Sequence, residues 1–448
     1  MSTYAQIVII AWIPFIFYLF NRFSVKNALV ISFIGAWLFL PQKAGFVLSG
    51  LPDYERMSAT IYGILLSIII WDSKSIAKFE WCWIDIPMFV WCICPLLSSI
   101  TNNLGVYDGF SAILDRTAAY GGPYCIGRLY FNSLDALGKL AVGIFIGGLI
   151  YVPLCLYEIR FSPQLHKIVY GYHGNPAFHQ TIRYGGYRPV VFMQHGLSVG
   201  FWMTSAALIG IWLWKANVIT RICSIDMKLL VVLLVVTTVA IKSTGAIILL
   251  VLGVTIVFVA YQFRTSIPFV IVIFAIFFYL QQNVSANSHL SEKIISTLNS
   301  VVSAERVQSL QFRFDNEELL KNKARERIIF GWGGWNRNRV YDYDWKGELV
   351  NISTVDSLWI IAFGVNGIVG LASLTSSVLI PPLCFCWFSF PVSLWSSRKV
   401  APAAILTLVT VLYTIDSLFN GQYNPVFTLA TGGISGLIVK SPPKIKEV

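Results

Sequence analysis

Long apolar runs decide which folds are open to this chain. Several of them reach the length of about 20 residues that a helix needs to cross the roughly 30 Å hydrocarbon core of a bilayer. Hydrophobic residues make up 56% of the sequence and charged residues only 12%, whereas a soluble domain carries about 25% charged residues. Alternating segments of about 10 residues, typical of an outer-membrane barrel, are absent. The sequence therefore predicts an all-α, polytopic transmembrane helical bundle that forms a single integral membrane domain over residues 1–448.

The apolar runs predict about twelve membrane helices. Their ranges are 4–21, 27–41, 58–71, 84–100, 133–157, 195–214, 228–241, 244–262, 266–281, 356–388, 400–416 and 422–439. The first run has no basic residue ahead of it and no small-residue cleavage site after it, so we interpret it as a retained helix rather than a signal peptide. The long run 356–388 contains three glycines and two prolines, and we expect it to be broken or strongly tilted.

Basic residues in the short connections predict the orientation of the bundle, because cytoplasmic loops collect Lys and Arg. The residues that fall on one side when the helices alternate are Lys215, Arg221, Lys228, Arg264, Arg398, Lys399, Lys440, Lys444 and Lys446. With that side cytoplasmic, two long polar loops, 158–194 and 282–355, are extracytoplasmic. The larger loop contains an amphipathic stretch over 291–323 that would lie on the bilayer surface or cap a cavity. We assign the net charge of +11 to this topology and expect no nucleic-acid partner.

The first half of the chain does not fit this orientation. Arg22 and Lys26 fall on the wrong side for an even number of helices with a cytoplasmic N-terminus. Residues 106–131 are semi-polar and interrupted by Gly and Pro. Two interpretations stay open for them: an interfacial helix followed by a re-entrant turn, or an additional crossing. Non-helical backbone at membrane depth is tolerated only where it is buried in protein or lines a wet cavity.

The segment IRYGGYRPVVFMQHG, residues 182–196, gathers Arg183, Arg188 and His195 at the mouth of a predicted helix. No Asp or Glu occurs in 166–196, so we expect these arginines to bind an anion from elsewhere. The planar guanidinium group binds phosphate oxygens through two parallel hydrogen bonds, which suits a phosphate or diphosphate held at headgroup depth. The glycines between the arginines would let the backbone approach that anion.

Two other patterns in the loops favour structural roles. In the second loop, nearby Asp and Glu residues predict local ion pairs for Arg325, Arg327, Arg337 and Arg339. The five histidines lie in or beside the two loops, but no i,i+4 His pair occurs and no carboxylate stands next to the cluster. We therefore expect no metal site and no other cofactor.

Four short motifs follow one another along the second half of the chain. KSTGA (242–246) opens a helix, and QFRFDNEELL (311–320) places an arginine between aromatic residues in the second loop. IIFGWGGW (328–335) is a glycine-rich turn, and VDSLWIIAFGVNGIVGL (355–371) is the segment where the loop re-enters the membrane. In this order and topology they resemble the O-antigen ligase / O-antigen polymerase superfamily. The first half matches only in its hydrophobicity, apart from PYCIGRLYF (123–131).

The resemblance implies an enzyme of the bacterial cytoplasmic (inner) membrane with its active site facing the periplasm. Such a membrane glycosyltransferase joins undecaprenyl-diphosphate-linked glycan units by inverting, metal-independent transfer. Its implied partners are the lipid-linked donor, a glycan acceptor, the lipid bilayer and further polysaccharide-assembly proteins. Ligases of this family typically carry histidine at the re-entry position, where this chain has Asp356, and this departure favours a polymerase. An O-antigen ligase and a lipid-linked oligosaccharide flippase are the alternatives.

The chemistry of such a transfer suggests roles for the candidate residues. Negative charge that develops on the leaving diphosphate is stabilised by preorganised cations, and Arg183, Arg188 and Arg313 form the predicted clamp. The acceptor hydroxyl needs a base within hydrogen-bond reach, a role for His195 or Asp356. The further candidates are Arg128, provided that 106–131 folds back to the outer face, Arg160, and Asp416, a carboxylate near a helix end that is either functional or the partner of an arginine.

Overall fold

The computed structural model describes residues 2–48, 52–175, 178–285 and 304–440. Its helices are α1 (Thr3–Arg22), α2 (Val25–Phe39), α3 (Arg56–Ile76), α4 (Ile86–Thr101), α5 (Val106–Arg116), α6 (Gly122–Tyr130), α7 (Leu134–Phe161), α8 (Leu165–Tyr170), α9 (Gly196–Lys215), α10 (Met227–Ala240), α11 (Thr244–Phe263), α12 (Ile267–Val284), α13 (Ala304–Arg325), α14 (Leu358–Cys384), α15 (Ala401–Phe419) and α16 (Pro425–Lys440). Short 3-10 or π turns lie at Trp83–Asp85, Thr117–Gly121, Phe178–Thr181, Phe385–Ser389 and Val392–Leu394.

Short antiparallel hairpins occupy several of the connections between helices. They pair β1 (Gly45–Phe46) with β2 (Tyr54–Glu55), β3 (Ile182–Arg183) with β4 (Gly186–Tyr187), β5 (Arg221–Ile222) with β6 (Ile225–Asp226), and β7 (Tyr341–Tyr343) with β8 (Leu349–Asn351). Each hairpin reverses the chain between two helices, so the sheets serve as connections and the helices form the core.

The bundle is built from helices that can cross a membrane. Within the described ranges, nine helices are long and apolar enough to do so, and α2, α10 and α16 are shorter apolar helices. Each predicted apolar run falls on one of these helices. Large side chains on their outward faces, such as Val232, Val251 and Phe274, are more than half exposed, as expected for surfaces that face lipid rather than water. The prediction of a helical, multi-pass membrane protein is confirmed.

Residues 106–130 form one continuous helical segment, consisting of α5, a π turn and α6. The segment runs antiparallel to α4, with Gly109 beside Leu96 and Gly121 beside Cys92. It runs parallel to α16, where Gly127 packs directly against the backbone at Leu429. Small residues allow such close approach of two helices inside a membrane bundle. The structure therefore places an additional helical segment through the bundle here, in place of a re-entrant turn.

The helices alternate between two ends of the bundle. At the end that we call the cavity end, the chain starts α9, α11 and α14 beside a large cavity. The opposite end, which we call the basic end, brings together Lys26, Lys78, Lys139 and Lys440. The chain starts α1 at the cavity end, since Ser2 packs beside Gly171 of the first loop. The additional segment thus puts Lys26 on the same side as the basic connections of the second half.

A break in α14 positions the second loop. Gly367 has φ 64° and ψ −162°, so the helix is interrupted there as its glycines predict. Backbone from residues 328–335 fills the interruption: the amides of Trp332 and Gly333 donate to the carbonyls of Gly364 and Val365. In return, the Ile368 amide donates to the carbonyl of Ile328. The backbone groups released by the break are therefore satisfied by protein, which irregular backbone in a membrane bundle requires.

The helix α13 of the second loop is tied to the end of α12. The Arg325 guanidinium donates hydrogen bonds to the carbonyl oxygens of Asn283, Val284 and Ser285. These hydrogen bonds cap the C-terminal end of α12. Arg325 also lies 3.6 Å from the Glu318 carboxylate, so its predicted local ion pair is present. The guanidinium groups of Arg327 and Arg337 lie 5.3 and 5.9 Å from the centroid of the Trp332 ring.

The first part of the predicted amphipathic stretch, 291–303, lies outside the described residues.

Candidate functional site

A cavity of about 690 Å³ opens at the cavity end. It is lined by the first loop, the starts of α9 and α11, helix α13, the residues just before α14, and the end of α15 with the residues that follow it. Its polar and charged lining residues are Gln180, Arg183, Arg188, Gln194, His195, Lys242, Ser243, Thr244, Arg313, Asp356, Asp416, Asn420 and Gln422. Most of the predicted site residues therefore share one cavity, although they come from separate parts of the sequence.

The β3–β4 hairpin carries Arg183 to the cavity. Its two-residue turn consists of Tyr184 and Gly185, both with positive φ (48° and 65°), a conformation typical of tight hairpins whose twist matches that of the strands. The predicted role for the glycines, close backbone approach to an anion, is therefore not needed to explain Gly185. Gly186 adjoins the ammonium group of Lys242, so a side chain there would displace that cation.

Arg188 is buried beside the start of α9, where only 5% of its side chain is exposed. Its Nη2 donates a 2.9 Å hydrogen bond to the carbonyl of Gln180. The segment that follows is held by Glu158, whose carboxylate accepts hydrogen bonds from the amides of Val190 (2.8 Å) and Val191 (2.7 Å). Charge-assisted bonds of this kind are roughly twice as strong as neutral ones. Glu158 therefore fixes the backbone that places Arg188 in the cavity wall.

His195 is the N-terminal cap of α9 rather than a free base. Its Nδ1 accepts a hydrogen bond from the Leu197 amide at 3.1 Å, and its Nε2 lies 3.0 Å from Oε1 of Gln180. Burial, together with the positive charges of Arg188, Arg183 and Arg313, lowers the pKa of His195 to about 4. The ring is therefore neutral at physiological pH, with the proton on Nε2, and both nitrogens are already engaged. Of the two predicted base candidates, Asp356 is the one that this geometry favours.

Lys242 is a cavity cation that the sequence prediction did not include. It sits in the turn between α10 and α11 with φ 59°, and its Nζ donates to the carbonyl of Tyr184 at 3.2 Å. The residues after it, Ser243 and Thr244, start α11 at the cavity wall. Helix N-termini present amides and a partial positive charge to anions, and α9 also starts at this cavity. The KSTGA motif carried the signal, because it places a cation directly before a helix start.

Arg313 and two carboxylates, Asp356 and Asp416, also line the cavity. Arg313 Nη1 donates to the carbonyl of Phe419 at the end of α15, at 3.2 Å. Asp416 accepts a 2.7 Å hydrogen bond from Asn420 and lies close enough to Arg313 to interact with its charge. Asp356 is half-buried in the loop before α14. The charge of Arg313 therefore acts on both His195 and Asp416.

Glu317, a buried carboxylate, helps to position Asp356 through the neighbouring residue Ser357. Glu317 of α13 is 7% exposed, and its Oε1 accepts a 2.6 Å hydrogen bond from the hydroxyl of Ser357. Burial raises the pKa of Glu317, and the Ser357 hydroxyl and nearby cations counteract that shift. Because Ser357 directly follows Asp356, this bond between α13 and the start of α14 fixes the backbone that carries the Asp356 carboxylate.

Two predicted site residues lie elsewhere. Arg128 is at the basic end, where it pairs with Asp85 at 3.1 Å; its predicted role required 106–131 to fold back to the outer face, whereas 106–130 continues through the bundle. Arg160 is on the exposed face of the last turn of α7, next to Phe161, and is not among the cavity-lining residues.

Among the residues that the structure describes, no group of three or more His, Cys, Asp or Glu side chains could hold a metal ion. The cavity combines four cations, two carboxylates and several amide side chains. Comparison of the sequence with models of protein families and with curated proteins gives no match.

Proposed function

We propose that the protein is a membrane glycosyltransferase that joins undecaprenyl-diphosphate-linked glycan units. One observation carries the proposal: four cations, Arg183, Arg188, Lys242 and Arg313 (the cationic wall), line the same cavity as Asp356 and Asp416. The charge of Arg313 acts on both His195 and Asp416. The cationic wall suits the leaving diphosphate, and the carboxylates suit an acceptor hydroxyl. The two helix N-termini at the cavity add partial positive charge to the cationic wall.

In this proposal the transfer needs only a base and anion stabilisation. The acceptor hydroxyl attacks C1 of the donor sugar, and its proton passes to the carboxylate of Asp356. The bond between C1 and the diphosphate oxygen breaks, and the diphosphate leaves with the electron pair. Arg183, Arg188 and Arg313 stabilise the charge that develops on it.

The arrangement of the chain also supports activity on the outer face of the membrane. The connections at the basic end are short and carry Lys215, Arg264, Arg398 and Lys399, as cytoplasmic loops do. The cavity lies at the other end, among the two long loops. Its rim includes Ile248 and Phe312, which are 60% and 57% exposed and provide an apolar approach for the polyprenyl chain of the donor. We place the protein in the bacterial cytoplasmic membrane with the cavity facing out.

Turnover by the purified protein tests the proposal. The substrate is a synthetic undecaprenyl-diphosphate glycan, and the variants are Arg188→Ala, Arg313→Ala and Arg313→Lys. Removal of a cation that contacts the diphosphate is expected to lower turnover about 100-fold. The Lys variant is expected to recover only part of this, because it retains the charge without the two-pronged donor. Arg160→Ala is the matched control, since Arg160 lies outside the cavity.

The product distinguishes the remaining alternatives. Products lengthened by repeat units identify a polymerase, and transfer to a lipid or protein acceptor identifies a ligase. Full turnover in both Ala variants, with melting temperatures equal to that of the unmodified protein, removes the clamp from the proposal. Movement of the intact lipid-linked glycan across vesicles without a new glycosidic bond identifies a flippase instead.

A further inference from the structure

A second cavity, of about 500 Å³, lies at the basic end, away from the site described above. Five basic side chains line it, and they come from separate stretches of the chain: Lys26, Lys78, Arg128, Lys139 and Lys440. Acidic lining residues are fewer, namely Asp72 and Glu80. Basic residues are common in short cytoplasmic connections, but this preference alone does not require their side chains to converge on one cavity.

Arg128 is fixed in the wall of this cavity. Only 5% of it is exposed, and its partner Asp85 is fully buried. Its Nε lies 3.1 Å from Oδ1 of Asp85, its Nη2 donates to the carbonyl of Glu80, and Asp85 also accepts from the Tyr124 hydroxyl at 2.9 Å. A buried ion pair is retained despite its desolvation cost only when its geometry and additional hydrogen bonds are good. The Asp85 pair therefore holds the guanidinium in one place.

A buried hydroxyl faces the same cavity. Tyr130 is 6% exposed and lines the cavity, where its hydroxyl interacts with the side chains of Asp72 and Ser75. Asp72 also accepts a 2.8 Å hydrogen bond from Ser75. These three side chains form a polar part of the cavity wall, opposite in character to the apolar surface described next.

An apolar groove of about 880 Å³ adjoins the basic cavity and runs along α2 and α7. The two share Lys139, and the start of α2 contributes to both, with Lys26 in the cavity and Asn27 in the groove. The groove continues towards the middle of the bundle as far as Ile150, and Arg398 and Lys399 border it. A polar, cationic compartment and an apolar one therefore meet at Lys139, which also forms a solvent-exposed ion pair with Asp135 of the groove at 3.4 Å.

We infer that the basic cavity and the adjoining groove together bind one anionic phospholipid. The phosphate headgroup lies among Lys26, Arg128 and Lys139, and the acyl chains lie in the groove between α2 and α7. Charge selects the headgroup, because a zwitterionic lipid brings its own cation into a compartment already rich in them. The groove selects the lipid over a soluble phosphate, because burial of each CH₂ group favours binding. This site is separate from the cavity of the proposed function and does not depend on it.

Native mass spectrometry of the purified full-length protein tests this inference. The probes are phosphatidylglycerol, phosphatidylcholine and sn-glycerol 3-phosphate, each titrated into delipidated protein in detergent. The protein is expected to retain one phosphatidylglycerol more tightly than phosphatidylcholine, and to bind glycerol phosphate weakly. The double variant Lys26→Gln/Lys139→Gln is expected to weaken phosphatidylglycerol binding about 25-fold, roughly fivefold for each lysine near the headgroup.

Matched controls separate the site from general surface charge. Lys74→Gln/Lys228→Gln removes two exposed lysines that do not line the cavity, and is expected to leave the preference for phosphatidylglycerol unchanged. Ile146→Trp fills the groove, whereas Ile271→Trp adds the same ring to a lipid-facing position on α12. Only the first is expected to weaken lipid binding.

Three outcomes would overturn the inference. The first is an equal loss of phosphatidylglycerol binding in the two double lysine variants. The second is displacement of phosphatidylglycerol by an equal concentration of sn-glycerol 3-phosphate. The third is unchanged phosphatidylglycerol binding in Ile146→Trp. Melting temperatures of all variants show whether a loss of binding reflects a loss of fold.

Discussion

His195 lies where three arginines and a helix start act on one imidazole ring. Burial comes first among the causes that lower its pKa to about 4, and Arg188, Arg183 and Arg313 add to it. The hydrogen bond from the Leu197 amide to Nδ1 works in the same direction, because a protonated Nδ1 could not accept it. The ring therefore caps α9 and orients Gln180 while it stays uncharged.

This state of His195 predicts how stability depends on pH. The pKa is about 4 in the folded protein and about 6.5 in an unfolded chain, so between these values the unfolded state binds more protons. Stability is therefore full above about pH 6.5 and falls as the pH drops towards 4, by at most about 3 kcal/mol. We expect the melting temperature in detergent to fall over this window, and the fall to be smaller in His195→Asn, which still caps a helix.

The control for this experiment is His179→Asn, since His179 is exposed. Its melting temperature is expected to follow that of the unmodified protein at every pH. Identical pH profiles for His195→Asn and the unmodified protein would contradict the assignment of His195 as a buried neutral cap.

Asp356 and Asp416 share the cavity but are expected to differ in function. Asp416 is tied to Asn420 at 2.7 Å and neighbours Arg313, whereas Asp356 is placed through Ser357 and Glu317 at the start of α14. Loss of a general base lowers turnover by about 100-fold or more. We expect that loss in Asp356→Asn, and less than about tenfold in Asp416→Asn.

Binding of a fluorescent undecaprenyl-diphosphate glycan, measured beside turnover, separates chemistry from binding. Asp356→Asn is expected to bind the donor as the unmodified protein does. A larger loss of turnover in Asp416→Asn than in Asp356→Asn would move the base to α15.

Most of the site residues predicted from the sequence line the cavity. Arg183, Arg188 and Arg313 were predicted together because a leaving diphosphate needs preorganised cations. Lys242 was missed, because a lone lysine after an apolar run is equally typical of a residue that only flanks a membrane helix. Only the fold shows that the α10–α11 turn lies against the β3–β4 hairpin. The bond between the His195 ring and Gln180 could not be predicted either, because Gln180 lies fifteen residues earlier, in a 3-10 turn of the first loop.

At the scale of elements, the junction between α14 and residues 328–335 joins the second loop to the bundle. Gly367 adopts φ 64° and ψ −162°, a region open essentially to glycine alone. A Cβ atom on Gly367 would also overlap the carbonyl of Ile329. The Asn102 side chain donates to the carbonyl of Gly331 at 2.8 Å, so α4 is joined to the same junction.

Gly367→Ala is therefore expected to lower the stability of the protein by about 1–3 kcal/mol from backbone strain alone, and by more where the Ile329 backbone cannot move. Gly334→Ala is the matched control in the same junction, since no atom lies within 4 Å of the added Cβ; its effect is expected to stay within about 0.5 kcal/mol. Thermal unfolding in detergent measures both. Equal melting temperatures for the two variants would show that the junction is not a tight contact.

The glycines and prolines of 356–388 predicted that this helix is interrupted, and the structure agrees at Gly367. They could not predict what fills the interruption. The IIFGWGGW motif was noted as a resemblance, and its physical role in the fold is the exchange of backbone hydrogen bonds with residues 364–368. Such backbone pairing leaves little trace in side-chain pattern beyond the glycines themselves.

At the scale of the whole molecule, hydropathy predicted the positions of the apolar helices but not the path of the first half. Residues 106–130 are too polar for a lipid-facing helix, and much of α6 is buried against α16 instead. A helix packed against protein, as α6 is, does not need an apolar outer face, so the crossing of 106–130 cannot be recognised from hydrophobicity although α5 exposes Val106 and Phe110. Once it is included, the positions of Arg22 and Lys26 agree with the basic connections of the second half.

This path can be tested by cysteine labelling in intact cells with a membrane-impermeant maleimide. Tyr107 is 68% exposed at the cavity end, and Lys78 is exposed at the basic end. The native Cys223 is exposed in the β5–β6 hairpin, among the basic connections, and serves as an internal reference. We expect Tyr107→Cys to react from outside, as Lys346→Cys in the second loop does, and Lys78→Cys to react only after permeabilisation, as Cys223 does. An even number of crossings with a cytoplasmic N-terminus would reverse both first-half positions while leaving Lys346→Cys and Cys223 unchanged, so the pattern of the four sites distinguishes the two paths.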